Sequence, residues 1–230
     1  MEKIQQLFRK ACITYQLLED GDRVLVALSG GKDSLELVRL MGRQSKIYKP
    51  RISVEVAHVV MDNIPYASDL DYLRQFCAEA GVKFHVLHTR FDEHVEGKPQ
   101  KPACFLCSWH RRKALFQFAT ENGFNKIAFG HHMDDFLVTA LMNMTFEGQF
   151  SSMLPSMPME HYPLTVIRPL CLIPESMIAD IAMRDGFRKQ QKSCPHEHET
   201  QRTRMTHILH LLELENPEAR YSIWRALFGR

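Results

Sequence analysis

The sequence lacks any apolar run approaching the ~18 residues that a membrane-spanning helix needs. It also lacks a surplus of one charge: 29 Lys plus Arg face 27 Asp plus Glu, a formal net charge of +2 over 230 residues. A dedicated nucleic-acid binder usually carries a clearer basic excess, so contact with RNA would have to come from a local patch. The first residues, MEKIQQLFRK, hold no apolar segment and no small-residue cleavage site, which predicts a cytoplasmic and not a secreted protein. Internal repeats and low-complexity tracts are missing as well. What is present is a globular composition, 45% hydrophobic with balanced charge, which excludes disorder as the main state. Six cysteines without a secretion signal are expected to be reduced thiols, better suited to metal binding or catalysis than to disulfides.

Hydrophobic spacing predicts alternating strands and helices. Residues 3–19 have a loose helical period ending at Gly21, and Arg23 to Leu28 reads as a buried strand. Ser34 to Gly42 is expected to be helical, Ile52 to Met61 a strand, 67–80 a helix stopped by Gly81, and Lys83 to Thr89 a strand. After a polar loop over 90–103, a helix is predicted for 104–122, a short strand for 125–130 and a helix for 131–146. Residues 147–163 read as a Met- and Pro-rich loop, a surface loop in preference to a mobile lid. Leu164 to Ile167 reads as the last strand, 174–185 as a helix with Pro174 in its first turn, and 197–230 as helical. Strand–helix units of this length imply an α/β fold, a doubly wound parallel sheet covered on both faces, whose ligands bind beyond the carboxyl ends of the strands. We expect an N-terminal helix (1–20), a nucleotide-binding domain (21–190) and a helical C-terminal extension (191–230).

Three constellations fall at strand ends or in long loops. The first, Ser29-Gly30-Gly31-Lys32-Asp33-Ser34, follows the first strand and opens a helix. Paired glycines let the backbone approach an anion, a helix N-terminus offers N–H groups, the serines add donors, Lys32 adds charge and Asp33 could hold Mg²⁺. The spacing is not that of a Walker A loop. An ordinary capped turn would need fewer of these residues. The second is Cys104-Phe105-Leu106-Cys107 with the distant Cys194, His196 and His198. Two thiolates three apart at a helix start can grip one metal centre. Zinc would close with His196 or His198, whereas an iron–sulfur cluster would accept three cysteines and leave one iron open. The third, Gly130-His131-His132-Met133-Asp134-Asp135, could be a plain helix cap or could handle Mg²⁺ and phosphate. Cys12, Cys77 and Cys171 lie in apolar settings and read as core.

SGGKDS resembles the SGGxDS loop of the PP-loop ATP pyrophosphatase superfamily, which activates substrates by adenylation. Together with the CxxC, GHHMDD, the Ile167 to Leu170 segment IRPL, Glu175 and the late cysteine, it is similar to the tRNA 2-thiocytidine (TtcA-like) branch over roughly residues 20–200. The resemblance implies a PP-loop (adenine nucleotide alpha hydrolase-like) fold. It implies ATP with Mg²⁺ at Ser29, Gly30, Gly31, Lys32, Asp33, Ser34 and Gly130, and a [4Fe–4S] cluster on Cys104, Cys107 and Cys194. Asp135 and Arg111 would be catalytic, the substrate a tRNA, and a cysteine desulfurase or other sulfide donor a partner, with a possible homodimer and no membrane. Rival readings are a PP-loop ligase, which would have no use for the cysteines, and a zinc-stabilised nucleotide-binding module without turnover. His110 to Lys113, Arg202, Arg204, Arg220, Arg225 and Arg230 could line a phosphate track or simply solvate helix faces.

Overall fold

In a computed structural model of the chain, residues 2–64, 68–91, 103–188 and 201–229 are described. Among them the sheet has six strands in the order β3-β2-β1-β4-β6-β5. They are β1 (Arg23–Ala27), β2 (Ser53–Met61), β3 (Lys83–Thr89), β4 (Lys126–Ala128), β5 (Ser156–Pro158) and β6 (Thr165–Ile167). All neighbours pair in parallel except β5, which runs antiparallel to β6. The helices are α1 (Glu2–Thr14), α2 (Lys32–Gln44), α3 (Leu70–Ala80), α4 (Ala103–Glu121), α5 (Met133–Met142), α6 (Glu175–Arg184), α7 (Gln201–Glu215) and α8 (Ala219–Phe228).

The two-residue period of β1 explains the two faces. Val24 and Val26 enter a large core with Ile4 and Phe8 of α1, Leu37 of α2, Phe136 and Leu137 of α5, Leu209 of α7 and Trp224 of α8. Leu25 and Ala27 point the other way, against Leu115 and Ala119 of α4. One face is therefore covered by many helices, and the other receives α4. None of the described helices is long and apolar enough to cross a membrane.

Local departures from the expected boundaries have physical causes. α1 stops at Thr14, well before Gly21, because Gln16 adopts a left-handed φ of 50° and the Leu17 N–H returns to the Cys12 carbonyl at 2.9 Å. That 6→1 bond closes the helix and turns Leu17 into the core. The expected 147–163 loop contains β5, an edge strand too short to show alternation, with Pro158 tolerated because an edge strand has one unpaired side. α5 begins only at Met133 and runs into a π-helical turn over Asn143–Glu147. Pro174 is the cap of α6 and not part of its first turn. The C-terminal region breaks into two helices at Asn216-Pro217. Residues 92–102 of the polar loop, and Cys194, His196 and His198, lie outside the described residues.

Candidate active site

From β1 the chain moves outward through β2 to β3, then crosses back to β4 on the other side of β1. β1 and β4 thus flank the switch point of the sheet, where the loops leaving their carboxyl ends separate and open a crevice. A cleft of about 370 Å³ occupies that position. Ser29, Asp33 and Ser34 line it from the β1 side, Gly130, His131, His132 and Asp135 from the β4 side, and Ser108, Arg111 and Arg112 from α4. Its volume falls in the range of small-ligand sites.

The β1 loop is held by its own hydroxyls. Ser29 Oγ and Ser34 Oγ stand 3.1 Å apart, Ser34 Oγ donates to the Gly31 carbonyl at 2.9 Å, and the Ser29 N–H donates to Ser34 Oγ at 3.2 Å. Gly30 supplies the one left-handed residue, at φ 83°, that lets the strand turn directly into α2. Lys32 Nζ reaches Glu175 Oε1 at 2.7 Å, with Asp33 Oδ1 at 3.2 Å. Burial alone would lower its pKa, but the bonds to Glu175 and Asp33 outweigh that and raise it. Asp33 Oδ1 is buried and accepts no hydrogen bond, although the Lys32 ammonium and, at 3.9 Å, His132 Nε2 stand near it. An oriented carboxylate oxygen of this kind suits a hard divalent cation.

Gly130 matters through contact. A Cβ there would lie 3.1 Å from the Ser34 amide nitrogen and 3.2 Å from Asp33 C and Ser34 Cα, all backbone atoms. The β4 loop therefore packs on the first turn of α2, and only glycine allows that approach.

The two adjacent aspartates do different work. Asp134 is buried: its Oδ2 accepts the Glu175 N–H at 2.8 Å, capping α6, and its Oδ1 faces Arg220 Nη1 at 2.5 Å. Although burial would raise its pKa, His132 and Arg220 hold it well below the usual carboxylate range. Asp135 lines the cleft, accepts the His132 N–H at 2.9 Å and pairs with Arg202 Nη2 at 2.7 Å. His132 lies among Asp33, Asp134 and Asp135; burial depresses its pKa, but these carboxylates prevail and raise it. His131 behaves oppositely. Burial, opposed by Asp135 and reinforced by Arg168, Arg202 and Arg112, pushes it down to about 4, so its imidazole is neutral at physiological pH.

α4 brings the cysteines to the same end. Ser108, Arg111 and Leu115 line the cleft at helical spacing, and Cys104 and Cys107 lie one turn before Ser108 and Arg111 on that stripe. Cys104 is exposed and Cys107 half-buried, in contrast to the buried Cys77 and Cys171, whose thiol pKa values are raised chiefly by burial (Cys77 to about 12). Cys12 is likewise pushed up to about 12. Among the described residues no three His, Cys, Asp or Glu side chains form a metal site. The two α4 thiols are soft donors spaced to share one iron–sulfur or zinc centre, which would need further ligands from elsewhere.

Ser29, Asp33, Ser34, Gly130, Asp135 and Arg111 thus converge on one cleft, whereas Gly30, Gly31 and Lys32 shape the loop behind it. Cys194 lies outside the described residues. One functional-looking residue, His58, was not singled out by sequence. His58 of β2 is buried, with Nδ1 2.7 Å from the Leu28 carbonyl and Nε2 2.8 Å from Ser68 Oγ, which fixes the residue entering the β1 loop. Its signal was a histidine inside an otherwise apolar strand. His131 was visible only as part of a pair. Of the basic residues, Arg220 neither solvates a helix nor faces RNA, because it is buried between Asp134 and a bidentate contact with Glu213.

A profile described as a PP-loop domain matches residues 1–212. The chain is 32% identical to the tRNA-cytidine(32) 2-sulfurtransferase of Citrifermentans bemidjiense over 229 residues, 98% of this chain and 89% of that protein. It is 34% identical to the protein of the same name from Geobacter sulfurreducens over 230 residues, with 98% and 89% covered. Among solved structures it is similar to the U34-tRNA thiolase NcsA from Methanococcus maripaludis with its [4Fe-4S] cluster: TM-score 0.78, 27% identity, covering 97% of this chain and 77% of that one.

Proposed function

Since the chain belongs to the PP-loop domain family, we propose that it is an ATP-dependent tRNA sulfurtransferase that replaces the C2 oxygen of cytidine 32 in the anticodon loop with sulfur. The observation that carries this reading is the convergence on a single cleft of the β1 loop, Asp135 and the α4 residues Ser108 and Arg111, one helical turn beyond Cys104 and Cys107. A ligase would need the loop and Asp135 and leave the two cysteines without purpose.

ATP lies with its phosphates over Ser29 to Ser34, where the two hydroxyls and the first-turn N–H groups of α2 meet the developing charge. Asp33, whose Oδ1 accepts no hydrogen bond, would hold Mg²⁺, which would neutralise charge on the phosphates. The cytidine C2 oxygen attacks the α-phosphorus, its bond to phosphorus forms, and pyrophosphate leaves. A sulfur nucleophile then adds at C2 and AMP departs with the former carbonyl oxygen. Asp135, fixed by Arg202 and by the His132 N–H, is placed to take the proton lost from the incoming sulfur. Arg111, one turn beyond Cys107, steadies the adenylate. Cys104, Cys107 and Cys194 would hold a [4Fe–4S] cluster, which would present the sulfur at the site. A cysteine desulfurase or free sulfide is the proposed sulfur source, the cytoplasm the proposed location and a homodimer the proposed assembly.

Loss of the gene should remove 2-thiocytidine from bulk tRNA. An unchanged thionucleoside profile under conditions where the protein is made would refute tRNA as the substrate.

A further inference from the structure

Among the described residues, three cationic side chains are buried: Lys126, Arg168 and Arg220. Two of them have carboxylate partners. Lys126 Nζ sits 2.8 Å from Asp22 Oδ2, and Arg220 binds Asp134 and Glu213. Arg168 is different. At 8% exposure its guanidinium donates from Nη1 to the Leu154 carbonyl at 2.5 Å, its Nε is buried with no acceptor, and no carboxylate of the described residues pairs with it. An uncompensated buried charge is strongly unfavourable unless something else neutralises it.

Its surroundings make the imbalance worse. Arg112 is close enough to lower the pKa of Arg168, after burial, and it too lacks a carboxylate partner, its Nη2 resting on Ser108 Oγ at 3.1 Å. His131 lines the same cleft as Arg112, and both arginines help to hold it neutral. The position is also informative. Ile167 ends β6 opposite Ala128, so Arg168 leaves the carboxyl edge of the sheet next to the His131 loop, at the edge where parallel sheets bind ligands. Arg112 on the cleft wall and Arg168 at the neighbouring strand end, neither with a carboxylate partner among the described residues, make this edge suited to an anion.

We propose that Arg168, with Arg112 and His131 on the adjoining cleft wall, forms a phosphate subsite that takes a backbone phosphodiester of the RNA beside the acceptor nucleotide. This rests on the functional reading above and adds the way in which substrate is held. β6 lies two strand spacings, about 10 Å, from β1. The anion bound there stands beside the loop assigned to the ATP phosphates and not on it, which favours RNA over nucleotide. A phosphodiester gripped by a buried guanidinium fixes register without reading sequence, and the neutral His131 can donate to it or to the base without adding charge.

The test compares wild type with Arg168→Gln, Arg168→Lys and Arg112→Gln, all prepared anaerobically as full chains and checked by thermal melting. Labelled anticodon stem–loop RNA and a non-hydrolysable ATP analogue are titrated separately, the RNA at several salt concentrations. Each Gln variant should bind RNA roughly tenfold or more weakly. The slope of log affinity against log salt should flatten by about 0.7 for each lost single-strand phosphate contact, a change that a merely structural residue would not produce. Arg168→Lys should keep the slope while losing part of the affinity, and ATP-analogue binding should stay unchanged in both Arg168 variants. If Arg168→Gln fails to fold, the exposed Arg112→Gln carries the test alone. Weakened analogue binding with RNA binding intact would overturn the assignment to RNA and give the phosphate to the nucleotide. Wild-type RNA affinity and salt slope in folded variants would overturn the subsite altogether. Wild type that binds neither RNA nor the analogue would instead overturn the functional reading on which the subsite rests.

Discussion

Replacing Asp134 by alanine separates the structural half of the GHHMDD motif from its chemical half. The substitution strips the Glu175 N–H of its capping acceptor and removes one of two carboxylates from the buried Arg220. Breaking a buried ion pair by removing one partner costs about 3–5 kcal/mol. Glu213 still holds Arg220 through Nε at 2.7 Å and Nη2 at 3.0 Å, so the lower end, about 3 kcal/mol, is expected. For a chain of this length each kcal/mol shifts Tm by roughly 2–4 °C, giving a fall of about 6–12 °C. Differential scanning calorimetry reads this directly. A double-mutant cycle with Arg220→Met should then return a coupling of at least about 1 kcal/mol, since the two side chains share one contact. A Tm within about 2 °C of wild type, together with lost turnover, would show that Asp134 acts in the chemistry and that Asp135 has been given its role wrongly.

Asp135→Asn should reverse the pattern, with Tm nearly unchanged and formation of 2-thiocytidine down by at least a hundredfold, as for loss of a general base. Gly130→Ala forces a Cβ against the backbone of Asp33 and Ser34 and should cost about 1–3 kcal/mol in urea unfolding while weakening ATP binding. A variant with wild-type ATP affinity would mean the close approach is dispensable. His131, at about 4 when folded against 6.5 as its ordinary value, binds its proton more readily unfolded. Its contribution is therefore intact above pH 6.5 and lost as pH falls toward 4, by about 2 kcal/mol at pH 5. His131→Gln should flatten the change in unfolding free energy between pH 7 and pH 5 by that amount, and parallel curves would count against the assigned burial. Cys104→Ala and Cys107→Ala should abolish iron in anaerobically prepared protein, whereas Cys77→Ala should retain it; stoichiometric zinc in wild type would refute the cluster.

Much of this arrangement was legible in the sequence because the residues concerned are local. β3 ran over the expected Lys83 to Thr89 because its ends are marked by Gly81 and by a change in polarity. The β1 loop could be read because six consecutive residues carry its chemistry. Long-range partners could not be read. Nothing near Pro174 says that its helix is capped from Asp134, 41 positions earlier, and nothing near Arg220 says that it is a buried counter-ion. Arg168 sat in the quoted IRPL segment, yet its missing carboxylate is a property of packing and not of neighbours in sequence. β5 escaped because a three-residue edge strand flanked by proline has no period to detect.

The most direct test of the central claim uses anaerobic protein with ATP, Mg²⁺, sulfide and tRNA lacking thiolation. Nucleotide products and digested nucleosides are quantified in the same reaction. AMP, pyrophosphate and 2-thiocytidine should appear together in equal amounts, and only when RNA is present. Formation of ADP and phosphate, or of AMP and pyrophosphate without any thionucleoside, would contradict adenylation of a tRNA base as the reaction of this cleft.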